Sequence, residues 1–183
     1  MEVLDVKPSL YLGSRIVELV KTEVIEPAKA EGFEEIYLVG ISLGGHGVLL
    51  YATTYPEDVD GIILLAPFIS GDRASDSIEE AGGLDTWEDC PFLAWTHACN
   101  LWKSLQVYVS DSRNQRKVVL GFGTEDTFVE QCQILAEVLL PEQVFTVSGG
   151  HDWTTWKKLF IKAADYFQEL KIQRERHSDS QPE

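Results

Sequence analysis

At 183 residues the chain fits one domain with a full-sized core, and its 44% hydrophobic content is ordinary for a globular protein. A net charge of −15 excludes nucleic acid as a partner, since that binding rests on lysine and arginine neutralising phosphates, and it disfavours an anionic membrane surface. No apolar run approaches the ~20 residues of a membrane span, and no basic start followed by an apolar stretch and a cleavage site argues for secretion.

In chain order, residues 2–6 read as a strand or the end of one. Residues 14–31 carry Ile16, Val17, Leu19, Val20, Val24 and Ile25 at helical spacing, with Pro27 placed to kink or restart the helix. A short apolar strand, 36–39, leads into a helix over 43–54. Residues 61–67 are continuously apolar, as in a strand buried on both faces. Strands follow at 117–123 and 143–148, linked by a helix over 127–139. A closing amphipathic helix over 154–170 presents Trp156, Leu159, Phe160, Ala163, Phe167 and Leu170 as its core stripe. Strands alternating with helices predict an α/β fold: a three-layer α/β/α sandwich around a mostly parallel sheet. Residues 1–170 form the domain, and residues 171–183 lack an apolar pattern and read as a disordered tail. Cys90, Cys99 and Cys132 are odd in number and widely spaced, so they read as free thiols in a reducing, cytoplasmic setting.

The most informative stretch is Gly40-Ile41-Ser42-Leu43-Gly44, set between the apolar strand and the helix. Gly-x-Ser-x-Gly at such a strand-to-helix turn strains the backbone at the serine and pushes its hydroxyl out of the sheet. Glycines are expected at the flanks because a Cβ there would collide with the neighbouring strand or helix. Two further groups stand just beyond later strands: Thr124-Glu125-Asp126 after 117–123, and Gly149-Gly150-His151 after 143–148. The chain order serine, acid, histidine differs from that of other triad folds.

With these residues in hand, the sequence resembles the α/β-hydrolase superfamily, in particular its small bacterial esterase-like serine hydrolases. The likeness rests on Gly-Ile-Ser-Leu-Gly-Gly, the run over 55–67, and Gly-Gly-His-Asp-Trp-Thr-Thr-Trp over 149–156. It implies hydrolysis of carboxylic esters or thioesters of small molecules, without cofactor or metal. Ser42 would attack, His151 would act as base, and Asp126 would orient it, with Glu125 as the competing acid. The backbone N–H of Leu43 would hold the oxyanion. Asp152 adjoins His151 in sequence, a poor geometry for gripping its ring. His46 either faces the pocket or packs the helix. The irregular insert over 69–115 carries Trp87, Trp95 and Trp102, which either line a pocket beneath a cap or give the insert its own core.

One part of the family pattern is missing. Ser42 has only 41 residues before it, too few for the family's first three strands and the loop that supplies a second oxyanion donor. The strand at 36–39 would then form an apolar sheet edge, suited to homo-oligomerisation. A reading frame started downstream of the true start is the preferred explanation, beside a covering partner chain or a decayed hydrolase. Two other functions stay open: an impaired remnant serving as a binding module, and a different chemistry, such as acyl transfer, on the same fold.

Overall fold

The computed structural model describes residues 2–4, 6–11, 15–88, 90 and 97–178. Helix α1 (Arg15–Val20) passes through a π-helical turn (Lys21–Ile25) into α2 (Glu26–Ala30). Pro27 lies in α2 just after this widened turn, which accommodates the backbone bond that proline cannot donate. The chain continues as β1 (Tyr37–Ile41), α3 (Leu43–Thr54), β2 (Gly61–Leu65), α4 (Asp72–Glu80), α5 (His97–Ser110) and α6 (Ser112–Gln115). It then forms β3 (Val118–Gly123), α7 (Val129–Glu137), β4 (Val144–Val147) and α8 (Trp153–Ser178).

The four strands make one parallel sheet in the order β1-β2-β3-β4. Every residue of β2 and β3 is buried, because both faces are covered. Ile62, Leu64, Val118 and Leu120 join the large core under α1, α3, α5 and α7, while Ile63, Leu65 and Val119 pack on Leu159, Ala163 and Phe167 of α8. The expected three-layer α/β/α architecture is therefore present. Phe160, assigned to the core stripe of the last helix, is instead 38% exposed, on the flank of the stripe that Leu159 and Ala163 bury.

Three other expectations need correction. The described residues among 2–6 are in no strand: β1 is the last strand on its side of the described sheet, and nothing there pairs with them. The expected tail is helical as far as Ser178. Lysine, glutamine, arginine and glutamate sustain a helix without burying a face, and Lys171 is further tied to Glu35 at 2.6 Å. Cys90 and Cys99 are not free thiols but form a disulfide. The insert folds back so that their Cα atoms lie 6.1 Å apart across a sequence separation of 9, which removes the cysteine argument for a reducing compartment.

At the edge, β1 keeps Leu38 and Gly40 buried, yet Tyr37 and Val39 are 36% and 45% exposed on the α8 side. Among the described residues no helix is long and apolar enough to cross a membrane.

Candidate active site

The carboxyl ends of the four strands converge on one constellation. At the end of β1, Ser42 takes φ 53° and ψ −120°, a conformation that side chains rarely adopt. Its N–H donates to Leu65 O at 3.0 Å, and its own carbonyl accepts from Gly45 N–H and Phe68 N–H, both at 2.9 Å. The sharp turn is possible because β1 and α3 touch backbone to backbone. A Cβ on Gly40 would lie 2.6 Å from Gly44 O and from Gly45 Cα. The second tight position is Gly45, where a Cβ would come within 2.6 Å of Pro67 Cβ, whereas a Cβ on Gly44 meets nothing within 4 Å. The steric need expected at Gly44 is thus displaced by one residue. Gly45→Ala should lower the melting temperature by about 5–10 °C through overpacking. Gly44→Ala should leave it unchanged or slightly raised, and differential scanning calorimetry of the two variants checks the contrast.

Beyond β3 and β4, two loops are stitched together: Thr124 N–H donates to Val147 O at 2.9 Å and Glu125 N–H to Gly149 O at 3.1 Å. Gly123 and Gly149 permit this approach, since a Cβ on Gly123 would overlap Gly149 O. The stitching sets Asp126 beside His151. Nδ1 of the imidazole lies 2.9 and 3.0 Å from the two carboxylate oxygens of Asp126, and Nε2 lies 2.9 Å from Ser42 Oγ. Against a carboxylate, Nδ1 carries the proton and donates, which leaves Nε2 to accept from the serine hydroxyl. The side chain of Asp126 is fully buried and that of His151 is 23% exposed. Asp126 Oδ1 also accepts from Phe128 N–H at 2.9 Å.

The neighbouring acids are engaged elsewhere. Glu125 is exposed and accepts from Ser148 Oγ at 2.9 Å. Asp152 caps α8, and the N–H groups of Thr155 and Thr154 hold its carboxyl below the usual range. Cys132 is buried, which pushes its thiol up and leaves it unsuited to act as a nucleophile. Among the described residues, no group of three or more His, Cys, Asp or Glu gathers as a metal site.

The segment after β2 is clamped from three helices. Ile69 and Ser70 N–H both donate to Oε1 of buried Gln131 on α7, at 2.8 and 2.9 Å. Nδ1 of His46 on α3 lies 3.3 Å from Ile69 O, and Trp102 on α5 donates its indole N–H to Ser70 Oγ at 2.9 Å. His46 is therefore a buried packing residue against this segment, with Phe68 and Tyr11 beside its ring at 6.1 and 6.5 Å. Trp87 is buried within the insert, its N–H on Ser77 Oγ at 3.0 Å. Trp95 lies outside the described residues. Sequence reasoning missed Gln131, Phe68 and Phe128. Their key contacts lie far along the chain: Gln131 with Ile69 and Ser70, Phe68 with Ser42, and the ring of Phe128 with His151.

Residues 9–167 match the model of the Esterase family. The acetyl esterase of Caldicellulosiruptor saccharolyticus is 21% identical over 178 residues, an alignment covering 87% of this chain and 63% of that protein. The solved structure of a ferulic acid esterase superposes with a TM-score of 0.50 at 14% identity, over 81% of this chain and 61% of that one. The chain thus spans less than two thirds of the length of either relative. The structural likeness is one of fold, that of an α/β hydrolase, and the family match covers most of the sequence: the chain belongs to the Esterase family.

Proposed function

We propose that this chain carries the catalytic residues of a serine hydrolase that cleaves carboxylic esters or thioesters of small molecules through an acyl-enzyme. One observation carries the reading: a single imidazole bridges a strained, sheet-end serine and a buried carboxylate, with both bonds near 2.9 Å. In this reading His151 Nε2 takes the Ser42 proton as Oγ attacks the carbonyl carbon, and the imidazolium is stabilised by Asp126. The proton then goes to the departing alcohol or thiol as the tetrahedral intermediate collapses to the acyl-enzyme. Water attacks the acyl group in the second half by the same relay and regenerates Ser42. The N–H of Leu43, in the first turn of α3, has no acceptor within the helix and serves the oxyanion.

The Esterase family and the acetyl esterase relative support ester hydrolysis as the reaction class. A fluorophosphonate probe tests the assignment directly. Covalent labelling of the chain that disappears in Ser42→Ala is the expected result. A chain that never labels would favour the binding-module reading.

The same reading extends to assembly. The open side of β1, with Val39 exposed, is proposed as a contact between two copies of this chain. Light scattering after size exclusion should then find a dimer or larger species that Val39→Lys converts to monomer. A wild-type monomer at all concentrations would refute it.

A further inference from the structure

Two aromatic rings stand almost perpendicular to the imidazole of His151. The centroid of Phe128 is 4.9 Å away with an interplanar angle of 84°, and that of Trp156 is 4.8 Å away at 88°. They arrive from different elements, Phe128 from the residue before α7 and Trp156 from the first turn of α8. Edge-to-face contacts of this kind have a preferred geometry, so two of them restrict how the imidazole can turn.

Phe128 is also bound into the site through its main chain. Its N–H donates to Asp126 Oδ1, the carboxylate oxygen that lies 2.9 Å from His151 Nδ1. Its ring packs on Phe68 at 5.3 Å, and the Phe68 N–H donates to the carbonyl of Ser42 at 2.9 Å. Trp156 has a different hold: its indole N–H is buried without a hydrogen-bond partner among the described residues. No polar tie fixes that ring; it packs against both parts of the core and meets His151 and, at 5.3 Å, Trp153.

An imidazole that must bond through both nitrogens at once tolerates little rotation, because a turn that keeps one bond spoils the other. We propose that Phe128 and Trp156 are positioning residues: together they grip the His151 ring and keep Nδ1 and Nε2 in line with Asp126 and Ser42 during turnover. The inference rests on the reading of Ser42, His151 and Asp126 as the catalytic residues. Neither ring is assigned a contact with substrate.

Four variants test it: Phe128→Leu, Phe128→Tyr, Trp156→Leu and Trp156→Phe. Any of these retains the residue-128 N–H, so a change at that position reports on the ring alone. The readouts are kcat and KM for p-nitrophenyl acetate, normalised to sites titrated with a fluorophosphonate. The proton NMR signal of His151 Nδ1–H provides a readout that needs no turnover. Each leucine variant should lose about 10-fold in kcat per titrated site, with KM within about 2-fold, because small misplacements of reacting groups carry large rate penalties. The Nδ1–H signal should broaden or vanish in the leucine variants. Tyrosine at 128 and phenylalanine at 156 should restore most of both.

Leucine variants with full kcat and an intact Nδ1–H signal would overturn the proposal. So would a loss confined to KM, or aromatic variants no better than leucine. If Phe128→Leu does not fold, the Trp156 pair answers alone. Hydrolysis that survives Ser42→Ala would instead overturn the triad reading, whereas activity lost in Ser42→Ala but untouched by leucine would overturn the grip alone.

Discussion

Ser42→Ala and His151→Ala should each reduce hydrolysis of p-nitrophenyl acetate by about 10⁴-fold or more, and the double variant should be no slower than either single one. The reason is that a nucleophile and its base act as a unit, so removing one member leaves nothing for the other to do. What remains is the contribution of binding and of the backbone donor proposed for the oxyanion, Leu43 N–H, which neither substitution touches. Folding should survive both changes. Alanine at position 42 inherits the same backbone problem as serine, and His151 is partly exposed, at 23%. Initial rates beside circular dichroism check the pair. Additive losses, or one variant that keeps its rate, would show that the two groups do not work on the same proton.

The second large effect is expected at the acid. Asp126→Asn should lower kcat by about 10⁴-fold, because an amide in that place favours the wrong imidazole tautomer. Its carbonyl oxygen can still accept from Phe128 N–H, so the loop should hold its shape and the loss should be chemical. Glu125→Gln should change kcat by no more than about 3-fold, since the exposed Glu125 carboxylate meets Ser148 and not the imidazole. Steady-state rates of the two variants decide between the neighbours. A reversed order would move the acid to Glu125.

Much of this arrangement was legible in the chain itself, for physical reasons that differ from element to element. The helix over 43–54 was read with the bounds it has, because a Gly-x-Ser-x-Gly turn fixes its start and Pro56 stands just past its end. Strands β2 and β3 declared themselves as unbroken apolar runs, the signature of burial on two faces. What escaped depends on partners far along the chain. The tight glycine at 45 is set by Pro67, and the clamp on the segment after β2 by Gln131, 62 residues beyond Ile69. The disulfide needs the return of the insert, which no cysteine spacing encodes. Helix α8 outran its expected end because propensity alone can extend a helix that has already been nucleated by packing.

Among the described residues, Ser42 at φ 53° and Ala66 at φ 43° are the non-glycine positions held in the left-handed region, and they close two adjacent strands. Each such residue stands above its relaxed state by about 1–3 kcal/mol, held there by its surroundings. Glycine at position 42 would release that energy and abolish the hydroxyl in the same step. Stability and chemistry thus pull this codon in opposite directions. A variant line selected only for heat resistance would be expected to lose the serine.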